Sequence, residues 1–504
     1  MADLSKTLTA PNGRVIKLHT GLFINNEFVP GRDAPISTID PANETEITVV
    51  QAASSGDVDD AVRAARRALI KPEWREESPV ERGRLLYKLA ELIIAEKETL
   101  ATLEAWDNGK PYGIALAEDL EETISVIQYY AGWADKIHGQ TMSNVGPQGY
   151  KFGFTVREPI GVCAQIIPWN YPLSMAAWKL GPALACGNAI VLKPAEQTPL
   201  SILHLATLIK RAGFPPGIVN IVNGRGRVAG AALAGHMDVD KVAFTGSTST
   251  AREIMKLASN NLKNITLETG GKSPLIVFND ADLDQAAKWA QIGIMSNQGQ
   301  ICTATSRLLV QRSVADAFVT RFKEVIAEAN VLGDPFAEAT SQGPQVSKEH
   351  YHRILGFIDR ASKDGGVLTL GGKPFLRREH NNGYFIEPTI FTDVKPTSEL
   401  FQEEVFGPVV AVTLFDTEEE AVALANNSNY GLGAAIFTKD IQRVHRLFPN
   451  LESGQVWVNS SQDGDSRLPF GGVKQSGIGR ELGEAGLEAY SQVKTVHVNV
   501  KLKL

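Results

Sequence analysis

The sequence predicts an α/β fold made of two parallel-sheet domains, with a β-strand arm added to the pair. From Gly161 onward, short apolar strand-like runs alternate with helical stretches, the pattern of parallel strands joined through crossover helices. A similar rhythm resumes after Pro274 and runs to about Asn459, which gives a second unit. At 504 residues the chain is also far longer than one hydrophobic core supports.

Taken in order, the chain opens with an entry segment followed by helices. Ser54-Ser55-Gly56-Asp57 leads into a helix over 58–70, where alanines and valine recur at helical spacing behind an acidic N-terminal cluster. Pro79 opens a second helix with Leu85, Leu86, Leu89, Leu92 and Ile93 on one face, and a third is read over 114–138. Residues 150–156 and 494–500 alternate in the manner of strands and flank the two domains. They fit an arm that adds a strand to a neighbouring subunit, and they fit an ordinary edge hairpin equally well. The alternating region then offers strands at 162–167, 189–192, 218–222, 241–244 and 265–267, with helices ending at Ala185 and spanning 199–212. In the second unit a helix from Asp282 to about Met295 runs into the polar stretch 296–303, and a strand at 308–310 follows. No internal repeat or low-complexity segment stands out.

Bulk composition excludes several classes. Charged residues at 21%, hydrophobic residues at 43% and 45 glycines describe a soluble globular chain. A net charge of -7 and the absence of a basic block with interleaved aromatics argue against nucleic acid as a partner. Cys163, Cys186 and Cys302 are too few and too scattered for a disulfide framework or a zinc site, so no metal is expected and a reducing compartment fits. No apolar run approaches the ~20 residues of a membrane span, so no membrane is expected. Residues 1–21 lack the apolar core of a secretory signal. The terminal Leu502-Lys503-Leu504 lacks the small residue that a peroxisomal address carries before Lys-Leu, and a cytoplasmic location follows by default.

The residues that can carry chemistry lie on the connections. Cys302 sits in a polar, glycine-containing link between two regular elements, where a thiol is open to substrate. A lone cysteine can also be a small buried hydrophobe, and a catalytic role needs a base and an oxyanion stabiliser. Glu268, which follows a strand and precedes Thr269-Gly270-Gly271-Lys272, can serve as the base because glycines beside a carboxylate permit motion and close approach. Asn170, within Pro168-Trp169-Asn170-Tyr171-Pro172, offers an amide donor to a developing oxyanion. Phe244-Thr245-Gly246-Ser247-Thr248 joins a strand to a helix N-terminus, a place suited to phosphate, although it is not a G-x-G-x-x-G fingerprint. Lys193 and Glu196 end another strand on the same side, where the carboxylate can accept from ribose hydroxyls and would repel a 2′-phosphate.

Together these pieces resemble the NAD(P)-dependent aldehyde dehydrogenase family. The segments that carry the resemblance, in the family's order and over nearly the whole chain, are 168–172, 193–196, 244–248, 267–272, Gly299-Gln300-Ile301-Cys302, Glu404-Val405-Phe406-Gly407-Pro408 and Pro469-Phe470-Gly471-Gly472. The likeness is to the non-phosphorylating, broad-substrate branch, since the coenzyme-A-acylating branch typically has no glutamate at the position of Glu268. It implies that Cys302 attacks an aldehyde, that Asn170 and the Cys302 backbone N–H hold the oxyanion, and that Glu268 activates water against the resulting thioester and can first help deprotonate Cys302. Lys179 and Glu481 match a pair that relays protons from Glu268. NAD would lie against Ile166, Ile167, Pro168, Trp169, Lys193, Glu196, Gly226, Phe244, Gly246, Ser247, Glu268, Gly270, Glu404 and Phe406, with Glu196 favouring NAD over NADP. The family often has a second glycine where this chain has Ala251, which touches only fine positioning.

The resemblance further implies a variant Rossmann-like NAD-binding domain from 1–141 and 159–271, a catalytic domain over 272–486, and an oligomerisation arm from 142–158 and 487–504. A homo-oligomer, dimer or tetramer, follows. Tyr171, Trp178, Ile301, Thr303 and Phe470 would line the substrate tunnel and favour an apolar or aromatic aldehyde. The loop 460–467 is polar, with no large apolar side chain. It either widens and wets the tunnel mouth or is merely solvated. A catalytically silent relative would have lost Cys302, Glu268 or Asn170, and all are present.

Overall fold

A computed structural model describes residues 4–145, 151–376 and 382–499. Tyr150 and Val500, at the ends of the expected arm strands, and the terminal Leu502-Lys503-Leu504 lie outside the described residues.

The α/β architecture read from the sequence is present. An eight-stranded sheet runs in the order Gly477–Ile478, Asn264–Glu268, Lys241–Thr245, Val162–Ile166, Ala189–Lys193, Val219–Ile221, Leu22–Ile24, Glu27–Val29. Its central five strands pair in parallel. Every residue of Val162–Ile166, Ala189–Lys193 and Lys241–Thr245 is buried, which is why these strands read as continuous apolar runs rather than alternating ones. Strand order reverses between Val162–Ile166 and Lys241–Thr245, so the loops leaving their carboxyl ends diverge and open a crevice.

The second sheet has seven strands, ordered Val367–Leu370, Thr389–Thr392, Val409–Phe415, Arg307–Gln311, Pro274–Val277, Gly433–Phe437, Gln455–Val458. Successive side chains enter cores on opposite faces: Leu275, Val277, Leu308 and Val310 on one, Ile276 and Leu309 on the other. The strand Gly477–Ile478 crosses from this half of the chain to pair with Asn264–Glu268 at the edge of the first sheet, which stitches the two units together beside Glu268.

Local signals explain most helix limits. Ser54 caps Ser55–Leu69 reciprocally with Asp57, and Ser78 with Pro79 starts Pro79–Ala95. The stretch read as one helix over 114–138 is helical without interruption from Tyr112 to Lys136, and ends in a 3-10 turn. A separate helix, Lys97–Asn108, stops at left-handed Gly109, a π-helical turn occupies Ala115–Asp119, and Leu120–Trp133 follows. The entry segment holds the hairpins Ser5–Thr9 with Val15–His19 and Asp33–Asp40 with Thr45–Ala52, while Leu22–Ile24 and Glu27–Val29 extend the first sheet. Leu22–Ile24 and Glu27–Val29 have three residues each, and only tertiary pairing defines them.

The two alternating segments flanking the domains pair with each other. Ser491–Asn499 runs antiparallel to Lys151–Pro159, whose other edge carries Thr141–Val145. Met142, Phe152 and Val493 remain exposed on this three-stranded sheet. Among the described residues no helix is long and apolar enough to cross a membrane, and no cluster of His, Cys, Asp and Glu is placed to hold a metal ion.

Leu192 lies at the centre of the first sheet with no exposed surface. Leu192→Ala is expected to cost about 2–5 kcal/mol through lost burial and the cavity left behind, read as a lower unfolding midpoint by calorimetry.

Candidate active site

Cys302 projects from an irregular connection that the sequence makes possible only at specific points. After the helix Leu283–Met295, Asn297 (φ 46°), Gln298 (φ 60°) and Gly299 (φ 74°) are all left-handed. A Cβ on Gly299 would sit 2.2 Å from the carbonyl carbon of Gly407, so only glycine fits. Consecutive left-handed residues are costly, and buried amides hold them. Asn297 Nδ2 donates to the Asn170 carbonyl (3.0 Å) and the Gln300 carbonyl (3.3 Å). Gln345 Nε2 donates to the Gln298 carbonyl (3.3 Å), and Gln300 Oε1 accepts from the Val346 N–H (3.0 Å). This amide scaffold escaped the sequence reading, because polar residues in a loop look solvated until their burial is known.

Asn170 is brought to the same place. It is 6% exposed, and its Nδ2 donates to the Gln300 carbonyl at 2.9 Å, two residues before the thiol. Glu268 ends the strand Asn264–Glu268, is 2% exposed, and neither carboxylate oxygen has a hydrogen-bond partner. Burial, reinforced by the nearby Glu481 carboxylate, raises the Glu268 carboxyl well above its ordinary range. Lys179 Nζ donates to Glu481 Oε1 (2.7 Å) and to Thr245 Oγ1 (2.7 Å), while Glu481 Oε2 is buried without a partner. Cys302 is half-buried, and burial together with the Glu404 and Glu268 carboxylates pushes its thiol to about 12. The N–H groups of Thr303 and Cys302 act the other way, favouring negative charge at this point.

The glycine turn after Glu268 joins these groups. A Cβ on Gly271 would lie 2.2 Å from the Cys302 carbonyl oxygen, and one on Gly270 would lie 2.6 Å from Glu404 Oε2. The Gly271 N–H donates to Glu404 Oε1 at 2.9 Å, and burial raises that carboxyl to about 7. Phe406, also left-handed (φ 61°), meets Trp169 edge-on with ring centroids 5.2 Å apart. His350, another residue the sequence did not flag, completes this aromatic group and donates from Nε2 to the Phe406 carbonyl at 2.7 Å.

Several of the residues expected to meet a dinucleotide lie at or just beyond the carboxyl ends of the strands that flank the sheet's reversal point. Ile166, Ile167 and Phe244 are buried apolar walls, and Pro168 is half-buried at the mouth. Lys193 is 4% exposed and donates only to the adjacent Pro194 carbonyl (2.9 Å), while Glu196 Oε2 is buried with no partner. Buried polar groups are normally satisfied, so this orphaned carboxylate oxygen and underused ammonium fit a hydroxylated ligand such as ribose. Ser247 caps Thr248–Ala258 and is exposed beside half-buried Gly246, at a helix N-terminus whose dipole favours phosphate. Gly226 opens the turn Gly226–Gly230, whose last residue lies against the Lys193 stem.

On the other side of Cys302 the prospective tunnel residues are partly tied together. Trp178 meets Phe470 edge-on at 4.9 Å and donates from Nε1 to Glu122 Oε1 at 3.1 Å. Tyr171 carries the Lys110 ammonium 3.8 Å from its ring centroid, and Lys110 is ion-paired with buried Asp119. Ile301 is half-buried and Thr303 buried. The polar loop 460–467 is engaged at several points: Ser461 is fully buried, and the Asp463 and Ser466 carbonyls accept from Trp457 Nε1 and the Gly483 N–H, both at 2.9 Å. Gln462 Oε1 accepts from Thr303 Oγ1 (2.5 Å), and Gln462 Nε2 donates to the Thr303 carbonyl (3.0 Å). Asp465 and Arg467 pair with each other instead and stay at the surface.

Cys163 and Cys186 are 0% and 5% exposed, and burial pushes the Cys186 thiol to about 12 and the Cys163 thiol higher still. Cys302 is the most exposed thiol, so iodoacetamide is expected to label it ahead of the other two, measured by peptide mass spectrometry over time. Equal labelling rates would contradict the arrangement.

Comparison with known proteins agrees with this geometry. Residues 28–496 match the aldehyde dehydrogenase family. The chain is 51% identical to an aldehyde dehydrogenase of Emericella nidulans, over 99% of this chain and 98% of the relative. It is 49% identical to aldehyde dehydrogenase 1A1 of Oryctolagus cuniculus over the full length of both. Its structure is similar to that of an aldehyde dehydrogenase from Bacillus cereus solved as an NAD+ complex, with a TM-score of 0.92 and 47% identity over 96% of this chain and 97% of that one. Because the family match spans residues 28–496 and the relatives share about half of their residues over full length, the chain belongs to the aldehyde dehydrogenase family.

Proposed function

We propose that the protein oxidises an aldehyde to its carboxylic acid with NAD, through covalent intermediates on Cys302. The observation that carries this reading is the juxtaposition of Cys302, Glu268 and Glu404 around the Gly270-Gly271 turn. Cys302 Sγ adds to the aldehyde carbon to form a thiohemiacetal, and its thiol proton passes to Glu268. The developing oxyanion is held by Asn170 Nδ2, on release from the Gln300 carbonyl, and by the Cys302 N–H. When bound, the nicotinamide serves as hydride acceptor, and oxidation leaves a thioester on Cys302. Glu268 then takes a proton from water as its oxygen attacks the thioester carbon, which expels the thiolate and releases the acid. A raised carboxyl is a stronger base than an ordinary one, and Lys179 with Glu481 offers its proton an onward path. Division into covalent steps replaces one difficult oxidation in water with two easier events.

Lys193 and Glu196 would hold the adenosine ribose, Gly246 and Ser247 the pyrophosphate, and Glu404 the nicotinamide ribose. Glu196 would reject a 2′-phosphate, so NAD is favoured over NADP. The NAD+ complex of the similar Bacillus cereus enzyme supports this assignment. The division into an NAD-binding part (1–141, 159–271), a catalytic part (272–486) and an arm (142–158, 487–504) belongs to the same reading, as does a cytoplasmic location. The exposed three-stranded arm supports assembly into a homodimer or homotetramer, testable by light scattering on the purified chain. Tyr171, Trp178, Ile301, Thr303 and Phe470 would line the tunnel.

Steady-state kinetics over an aldehyde panel with NAD and NADP test the reading, with coenzyme A added as a control. Turnover that requires coenzyme A would overturn hydrolysis by Glu268. Cys302→Ser is expected to abolish aldehyde-dependent NADH formation while NAD binding, followed by calorimetry, persists. Glu268→Gln should accumulate acyl-enzyme, visible by intact mass. Because the base must be ionised, hydrolysis in the parent enzyme should fall on acidification at a pH above the ordinary carboxylate value of ~4.3, and Glu268→Gln should lack that limb.

A further inference from the structure

Arg307 begins the strand Arg307–Gln311, five residues beyond Cys302, and is 1% exposed. Its guanidinium touches no carboxylate. Nε donates to the Lys272 carbonyl at 2.7 Å, Nη2 to the Ala425 carbonyl at 2.7 Å, and Nη1 to the Leu424 and Asn427 carbonyls at 2.9 and 3.3 Å. The last three acceptors form the C-terminal end of the helix Glu418–Asn426, whose dipole favours a cation. The guanidinium carbon stacks 4.8 Å from the Phe401 ring centroid. Lys272 closes the glycine turn that follows Glu268, and Phe401 belongs to the short helix Glu399–Gln402 that leads into Glu404.

We infer that Arg307 is the positioning residue of this active site: one buried guanidinium fastens the segments bearing Glu268, Cys302 and Glu404 to each other and to a helix end. An arginine suits this task because its planar fork serves several carbonyls at once, which a lysine ammonium at the same place would not reach. The turn it holds has little tolerance. Gly271 rests on the Cys302 carbonyl so closely that a Cβ would overlap it, and the same residue's N–H holds Glu404. A small cavity lined by Lys272, Ser273, Arg307 and Tyr430 adjoins the guanidinium, and within it Lys272 Nζ and Ser273 Oγ have no hydrogen-bond partner.

The inference rests on the proposed Cys302 chemistry, so its test includes a readout that does not need turnover. In Arg307→Ala the truncated side chain enlarges that cavity enough to admit free guanidinium. The expected result is a kcat lower by about 10–100-fold, a smaller change in KM for NAD, and an altered rate of Cys302 alkylation, with kcat and alkylation rate both restored by low-millimolar guanidinium chloride and not by urea at equal concentration. A folded variant with unchanged kcat and alkylation rate would overturn the inference, as would a loss that guanidinium leaves unrepaired. If Arg307→Ala gives no soluble protein, Phe401→Leu decides: a reduced kcat at unchanged unfolding midpoint supports the role, and parental kcat and alkylation rate refute it. An inactive parent enzyme would instead remove the proposed function, leaving the alkylation arm to judge Arg307 alone.

Discussion

The contact of Gly271 with the Cys302 carbonyl is one of the points where the two sheets' segments meet, and it leaves no room for a side chain. The turn bearing this glycine follows the last parallel strand of the first sheet, and the carbonyl belongs to the connection that enters the second. Because backbone meets backbone there, the relative position of the two sheets is set by hard contacts instead of adaptable side chains. Gly270 against Glu404 and Gly299 against Gly407 extend the same close fit, so Cys302, Glu268 and the Glu404 carboxylate are spaced by close backbone packing. Packing of this density transmits displacement rather than absorbing it.

Around that seam the electrostatics are uncompensated by design of the fold. Glu268, Glu196 and Glu481 each keep at least one buried oxygen without a partner, and the Lys193 ammonium meets only a neighbouring carbonyl. Such groups cost stability when left alone. The large apolar core of the first unit and the paired cores of the second offset that cost. Glu268 among them acts electrostatically on the Cys302 thiol, and buried groups left unpaired in this way are characteristic of functional sites.

Much of the fold was legible in residue patterns. Strands buried on both faces read as apolar runs, and the stretch Ser54 to Asp57 and Pro79 mark helix starts. The individual residues Cys302, Glu268, Asn170, Lys193 and Glu196 were conspicuous because each stands at the end of a strand or in a turn, where parallel sheets present ligand-binding groups. Less visible were groups whose importance comes from burial. Asn297, Gln298, Gln300 and Gln345 look like loop polarity in a string of letters, yet they form the frame under the thiol. Gln462 likewise stands in a loop that reads as solvated, and its amide grips the residue after Cys302.

The sequence by itself determined the α/β class and the alternation of elements and singled out the candidate site residues, because period, capping and glycine placement are local properties. It could not determine which strands lie side by side, since pairing depends on the whole set of competing contacts. That Gly477–Ile478 returns to the edge of the first sheet, that Ser491–Asn499 pairs with Lys151–Pro159, and that Arg307 reaches Lys272, Phe401 and a distant helix end were decided only in tertiary structure. The physical reason is that these contacts join residues far apart in the chain, and their free energy appears only once water has been excluded from between them.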